Sequence, residues 1–189
     1  KVNSIVPKDG LQTGSVGGGI IQHVQTVFED DHIVSSSYSD INGFTATIKP
    51  GSLNSKILIT SQCSLMNNNS SGVVYMKLLR NGGEISQLTP SSNSSSYSNE
   101  FNSTATFYDA GTNQLLPWFF VYLDTPGLSL DNNGNIPTVT YKWQWKTNIV
   151  SGSIQTGAWI NNRHTASSGL SNNGDMRRKG TMLLQEVTG

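Results

Sequence analysis

Between Ile41 and Thr60 apolar and polar side chains alternate on both sides of a Pro-Gly break. Phe44, Ala46 and Ile48 fall on one side of the chain, and Thr45, Thr47 and Lys49 fall on the other. A period of two lets one face of a sheet be buried while the other is wetted. Pro50 and Gly51 interrupt the run before alternation resumes, so the stretch reads as strand, corner, strand. Further apolar runs, separated by clusters of Gly, Pro, Asn, Asp and Ser, predict strands over 20–28, 42–49, 55–65, 73–80, 104–109, 116–124, 138–147, 153–160 and 180–187. No window of helical period competes. The nearest, 73–80, is too short for a stable helix and opens with two valines. Asn81-Gly82 directly after it is a strong hairpin signal that pairs this strand with the run from Glu84 to Leu88. Many short strands without a repeat of fixed period predict an all-β sandwich or barrel and exclude solenoids and propellers.

Two strands carry conspicuous aromatics. Tyr141, Trp143 and Trp145 share one face of their strand while Lys142, Gln144 and Lys146 share the other, the pattern of a half-buried strand. Trp118, Phe120 and Tyr122 alternate with Phe119, Val121 and Leu123, so both faces are apolar and a central position in a sheet is expected. Residues 1–19 form a separate zone, in which Pro7, Gly10, Gly14, Gly17, Gly18 and Gly19 break any regular element. Val2, Ile5, Val6 and Leu11 make this zone apolar enough to lie against a partner. We read 1–19 as an extended docking arm or linker ahead of a single domain over 20–189. Three long polar segments, Asn67 to Gly72, Pro90 to Asn102 and Arg163 to Lys179, are expected to carry recognition or to face solvent at one end.

The 189 residues suffice for one all-β domain of ordinary size. Lys plus Arg equals Asp plus Glu at 12 each, so no general pull toward nucleic acid or anionic membrane exists. Charged residues make up only 13%, and Ser, Asn, Thr and Gly supply the polar surface. A surface with so little charge repulsion suits a fixed, symmetric assembly, although secreted adhesins and lectins share it. Cys63 is the only cysteine, which leaves no intrachain disulfide; flanked by no Lys, Arg or His, it reads as a small buried hydrophobe. The first ten residues hold no apolar core of a signal peptide, and no run is long enough to span a bilayer.

A family resemblance adds to this reading. GGGIIQHVQT at 17–26, IKPGSLNSKILI at 48–59, FVYLDTPG at 120–127, VTYKWQWK at 139–146 and MLLQEV at 182–187 occur in an order that resembles structural domains of bacteriophage tail fibres and other virion appendages. The likeness covers about residues 17–187 and rests on the order of short motifs. It implies an antiparallel sandwich, jelly-roll-like, behind a Gly-rich lead-in, and a structural role in a virion. It also implies a homotrimer, contacts with other virion proteins through the arm, no enzyme activity and no cofactor. The chain departs from the family in the long polar segments and at Trp143 and Trp145, so receptor specificity does not carry over.

Candidate contact residues follow from residue chemistry. Trp143, Trp145 and Trp159 offer ring faces on which the apolar side of a sugar stacks, set against the commoner role of such rings in a core or between subunits. Arg177, Arg178 and Lys179 are the one basic cluster, with Arg163 and His164 ahead of it in sequence, suited to an anionic host glycan or a neighbouring virion protein and more commonly a solvated face. A non-virion carbohydrate-binding module is the alternative function. Glycoside hydrolysis needs two carboxylates across a cleft, and no spacing selects a pair among Glu100, Asp109 and Asp124. His23, His32 and His164 lack zinc spacing, and Asp131 to Asn135 resembles a calcium loop without its closing Glu, so a turn is expected there. No catalytic residue and no metal ligand is assigned.

Overall fold

A computed structural model describes residues 19–28, 37–67, 73–88, 103–108, 116–147, 158–160 and 179–187. The strands among the described residues are β1 (Ile20–Phe28), β2 (Ser39–Ile48), β3 (Lys56–Asn67), β4 (Val73–Arg80), β5 (Gly83–Glu84), β6 (Ala105–Tyr108), β7 (Leu116–Asp124), β8 (Val139–Thr147), β9 (Ala158–Ile160) and β10 (Gly180–Val187). A single 3-10 turn, Ser86–Leu88, occupies the second half of the expected hairpin partner of β4. The docking arm residues Val2, Ile5, Val6, Pro7, Leu11, Gly17 and Gly18 lie outside the described residues, and so do most of the three polar segments.

Two five-stranded antiparallel sheets pack face to face. Sheet A has the order β1-β10-β3-β7, and sheet B has the order β2-β8-β4-β5, with β9 added to β3 and β6 added to β4. Leu65 pairs with Leu116 of β7 and with Ile160 of β9, so β9 lies on the other side of β3, in line with β10. On β4, β6 pairs at Val73–Met76 and β5 at Leu79 and Arg80 along the edge opposite β8, while the Leu78 amide between them donates to the Thr104 hydroxyl at 2.9 Å. Counting β5 and β6 as one broken strand and β9 as an addition, eight strands cross between the sheets at every step except the pairing of β4 with β5 and β6, the jelly-roll winding. The expected all-β, jelly-roll-like sandwich is the architecture found.

Local chemistry explains the joints. Asn81 and Gly82 both take positive φ, 50° and 81°, the backbone of a type I′ turn whose twist suits a two-residue hairpin. Asn81 also exchanges hydrogen bonds with Thr140, its amide donating at 2.8 Å and its side-chain oxygen accepting at 2.8 Å, which extends the β4–β8 ladder. In β2 strict alternation would put Ile41 and Phe44 on opposite faces, yet both are buried. A register shift between Asp40 and Thr45 resolves this, with Gly43 at φ 75° and a Cβ there reaching Phe28 Cβ at 3.0 Å. Only glycine satisfies both conditions.

The core is an aromatic chain across the sandwich. Phe28 of β1 stacks on Phe44 of β2 at 4.2 Å between centroids. Phe44 meets Trp143 at 6.1 Å, and Trp143 meets Trp118 and Phe120 edge-on at 5.1 and 5.0 Å. Trp143 and Trp145 are 0% exposed, so their candidacy as receptor or subunit contacts is corrected: both face Leu78, Met76 and the opposite sheet as core residues. A second correction concerns 116–124, which is the edge strand of sheet A rather than a central one. Its inner residues are buried or half-buried as expected, but Phe119, Val121 and Leu123 stand in solvent at 64, 49 and 47% exposure. Truncating the hub should show its weight: Trp143→Ala is expected to lower unfolding free energy by about 3–5 kcal/mol, read from urea denaturation.

Candidate functional site

Two poles and two outer faces organise the polar chemistry. At one pole the inner-facing residues of a single row across sheet A are Gln22, Glu186, Ile57 and Asp124. Both carboxylates are buried, Glu186 at 0% and Asp124 at 1% exposure. Asp124 accepts from Arg80 Nη1 through both oxygens at 2.9 Å and from the Tyr141 hydroxyl at 2.6 Å, so it ties β7 to two strands of sheet B. Burial and the adjacent Asp124 push the Tyr141 hydroxyl well up from its ordinary pKa. Glu186 accepts from the Gly51 amide at 2.7 Å, from Gln22 Nε2 at 2.6 Å and from the Ser55 hydroxyl. Gln22 also donates to the Lys49 carbonyl at 2.6 Å. The Pro50-Gly51 corner is therefore held by a carboxylate from the last strand. Burial alone would raise the Glu186 pKa, but the hydrogen bonds from Ser55, Gln22 and the Gly51 amide outweigh it and hold the carboxyl below its ordinary value.

These carboxylates are tethered by donors, which makes them struts. A glycosidase pair stands across an open sugar site, with one member kept protonated. Asp124, which no spacing in the sequence pairs with another carboxylate, is thus a cross-sheet anchor. Asp131 behaves as the sequence suggests: its Oδ1 accepts from the Asn133 and Asn135 amides at 2.9 and 2.8 Å, a turn rather than a cation loop. Among the described residues no three His, Cys, Asp or Glu side chains gather as a metal would require.

The outer faces differ in kind. Across sheet A the outward rows are His23–Gln185–Leu58–Leu123, Gln25–Leu183–Thr60–Val121 and Val27–Thr181–Gln62–Phe119. No Lys, Arg, Asp or Glu stands in these rows, and Ile20, Ile21 and Val27 add exposed apolar surface along the far edge. Sheet B presents a charged and aromatic outer face. Asp40 accepts from Lys142 and Gln144 at 2.7 Å each, which lowers its pKa. Lys77 pairs with Glu84 and lies 4.3 Å from the Tyr38 ring centroid, and Lys146 lies 4.9 Å from the same ring. Burial and the nearby Glu84 push the Tyr38 hydroxyl up to about 12.

At the pole opposite Glu186, a half-open cleft of about 260 Å³ is lined by Gln62, Cys63, Ser64, Pro117, Trp118, Phe119 and Lys179. It opens where β3 passes from its β10 neighbour, last paired at Gln62, to β9, first paired at Leu65. Cys63 is buried as expected, and burial pushes its thiol well up from the ordinary value. Of the sequence-derived contact residues only Lys179 reaches the cleft. Gly19 is exposed beside β1, Trp159 falls in β9 with its side chain outside the described residues, and Arg163, His164, Arg177 and Arg178 lie outside them altogether. The exposed side of β7 was missed because a doubly apolar strand reads as buried on both faces.

No protein-family profile matches this chain, and no curated protein sequence matches it at a significant level.

The Glu186 strut makes a pH prediction with a definite sign. Its pKa is depressed in the folded state, so its stabilisation is complete above the ordinary Glu value of 4.5 and is lost as pH falls through the folded value. The urea midpoint of the native protein should therefore exceed that of Glu186→Gln at pH 6, and the gap should narrow on acidification to pH 3.

Proposed function

We propose that this protein is a non-enzymatic structural component of a bacteriophage virion, a tail-fibre or appendage domain that assembles as a homotrimer and contacts the host surface. The observation that carries the reading is the partly apolar outer face of sheet A, whose three central rows hold no Lys, Arg, Asp or Glu, with Lys56 at its Glu186 end. A monomer in water gains nothing from Phe119, Val121 and Leu123 on its surface, whereas interface cores are depleted of charge in this manner. Three aligned rows on four strands, with strands ~4.8 Å apart, span about 20 by 20 Å. That is about 400 Å² in projection, about half of the ~800 Å² per partner in a stable interface. Three such faces turned to a common axis close on themselves without stranding an ion pair in the interface. The order of the motifs shared with phage fibre domains supports the virion setting.

The alternative, a carbohydrate-binding module on Trp143, Trp145 or Trp159, loses the first two rings to the core, and the Trp159 side chain lies outside the described residues. In the assembled particle the segment before Ile20 would dock to other virion proteins, and the opposite pole would face the host. Assembly is tested by light scattering at micromolar concentration. The native protein is expected to be three times the chain mass, and Val121→Lys should dissociate it while moving monomer stability by less than about 0.5 kcal/mol. A monodisperse native monomer would refute the assembly.

A further inference from the structure

We propose that β7 lines the threefold axis of the assembly, with Phe119, Val121 and Leu123 each meeting its own counterparts from the other two copies. The inference rests on the assembly reading above and adds which strand of sheet A stands at the axis and which at the rim. The outer rows of sheet A change character from one edge to the other. On β7 all three outward positions, Phe119, Val121 and Leu123, are apolar and exposed. β3 contributes Leu58, Thr60 and Gln62, β10 contributes Gln185, Leu183 and Thr181, and β1 contributes His23, Gln25 and Val27. Each of these strands has one apolar position of three. Apolar surface is thus concentrated on one edge strand, and the opposite edge, three strand spacings or about 14 Å away, is mostly polar.

A threefold axis ranks positions by their distance from it. A side chain at the axis meets two copies of itself and leaves water entirely, so a polar group there is tripled and desolvated. Farther out, side chains reach the rim, where polar groups keep their water. With β1 at the axis three His23 imidazoles and three Gln25 amides would converge, and with β3 there three Gln62 amides would. With β7 there only hydrocarbon and ring surface converges, in layers about 7 Å apart, two residues of strand rise. Lys56 is outward on β3 beyond the Leu123 layer, off the axis and at its open end. β7 is also firmly held for an edge strand. It pairs with β3 at all nine positions, Trp118 and Phe120 brace its inner side against Trp143, and Asp124 ties its end to Arg80 and Tyr141 of sheet B. A strand already fixed by its own chain loses little further freedom on association. Direction agrees as well: β1 begins at the Glu186 pole, where β7 ends, so an axis along β7 brings Ile20 of all three copies to one end.

The test treats single-cysteine variants of the full chain with a short bismaleimide, resolves them on a denaturing gel, and follows the same samples by light scattering. The native protein, whose Cys63 is buried, is the blank. Val121→Cys and Leu123→Cys should yield covalently linked pairs of chains, and Gln25→Cys on β1 should yield none. The two β7 positions lie in separate layers, so either one carries the comparison where the other fails to assemble. Charge gives an independent readout. Phe119→Lys should lose the trimer, because three ammonium groups converge without partners, whereas Gln25→Lys should keep it, because a rim charge reaches water. Linkage in Gln25→Cys that equals or exceeds that in Val121→Cys and Leu123→Cys overturns the axis assignment and leaves the trimer standing. Loss of the trimer in Gln25→Lys but not in Phe119→Lys does the same. A native monomer overturns the assembly, and the axis with it.

Discussion

The Trp143 indole is the fixed point of this sandwich. It is carried by β8 in the middle of sheet B, yet its Nε1 donates to the Ser61 hydroxyl of β3 in sheet A at 2.9 Å. Buried donors must be satisfied, and an indole has one N–H in one direction, so this bond sets how the two sheets face one another. Trp118 and Phe120 meet the same indole at interplanar angles of 90° and 87°, the edge-on arrangement that ring quadrupoles prefer. On its other side Phe44 connects it to Phe28. The register of β7 at one edge of sheet A and of β1 at the other is thereby referred to one side chain. A hydrophobic core without that polar contact would tolerate sliding, because apolar burial has no direction.

A second constraint closes the pole near the Pro50-Gly51 corner. Glu186 and Asp124 lie in one row of sheet A on either side of Ile57 and are inward-facing, where a carboxylate without partners costs several kcal/mol. Each is satisfied by groups distant in sequence: Gln22, Gly51 and Ser55 for the first, Arg80 and Tyr141 for the second. These contacts form only when β1, the corner after β2, β4, β7, β8 and β10 have all taken their final places. They act as a check on topology as much as a source of stability, since an alternative strand pairing strands a buried charge.

How much of this is legible in the sequence depends on the range over which each signal acts. The Asn81-Gly82 hairpin, the strand at 180–187 and the inward set Tyr141, Trp143 and Trp145 are local patterns, and all stand in the structure as read. Cys63 is likewise buried where its apolar neighbours placed it. The position of β7 was misread because alternation reports the polarity of each face and not what lies against it. Phe119, Val121 and Leu123 are apolar whether the cover is another strand of this chain or another molecule. The roles of Asp124 and Glu186 were hidden for a related reason: their partners are distant in sequence, on β4 and β8 for Asp124 and on β1 and the corner after β2 for Glu186, and no spacing marks them. Of the cleft, Lys179 stood out beforehand as a candidate contact, in a basic run, and Trp118, Phe119 and Cys63 only as strand residues; Gln62 and Ser64 join them through the pairing of β3 with β7.

The edge position of β7 gives its apolar outer side a sharper meaning than composition alone. Exposed sheet edges in soluble proteins are defended by lysines, prolines or bulges, because an undefended edge pairs with whatever strand it meets. β7 has Pro117 at its start and Asp124 at its end, but from Trp118 to Leu123 neither a charge nor a proline intervenes. β1, the opposite edge, carries Ile20, Ile21 and Val27 in the open and no ionised Lys, Arg, Asp or Glu along Ile20–Phe28. Sheet B solves the same problem differently, with Lys142 paired to Asp40 and Lys77 to Glu84 across its outer face. One chain thus holds a sheet finished for water and a sheet that is not. Selection against aggregation acts on both alike, and in the proposed assembly closed association of copies would remove the apolar rows of the unfinished sheet from water.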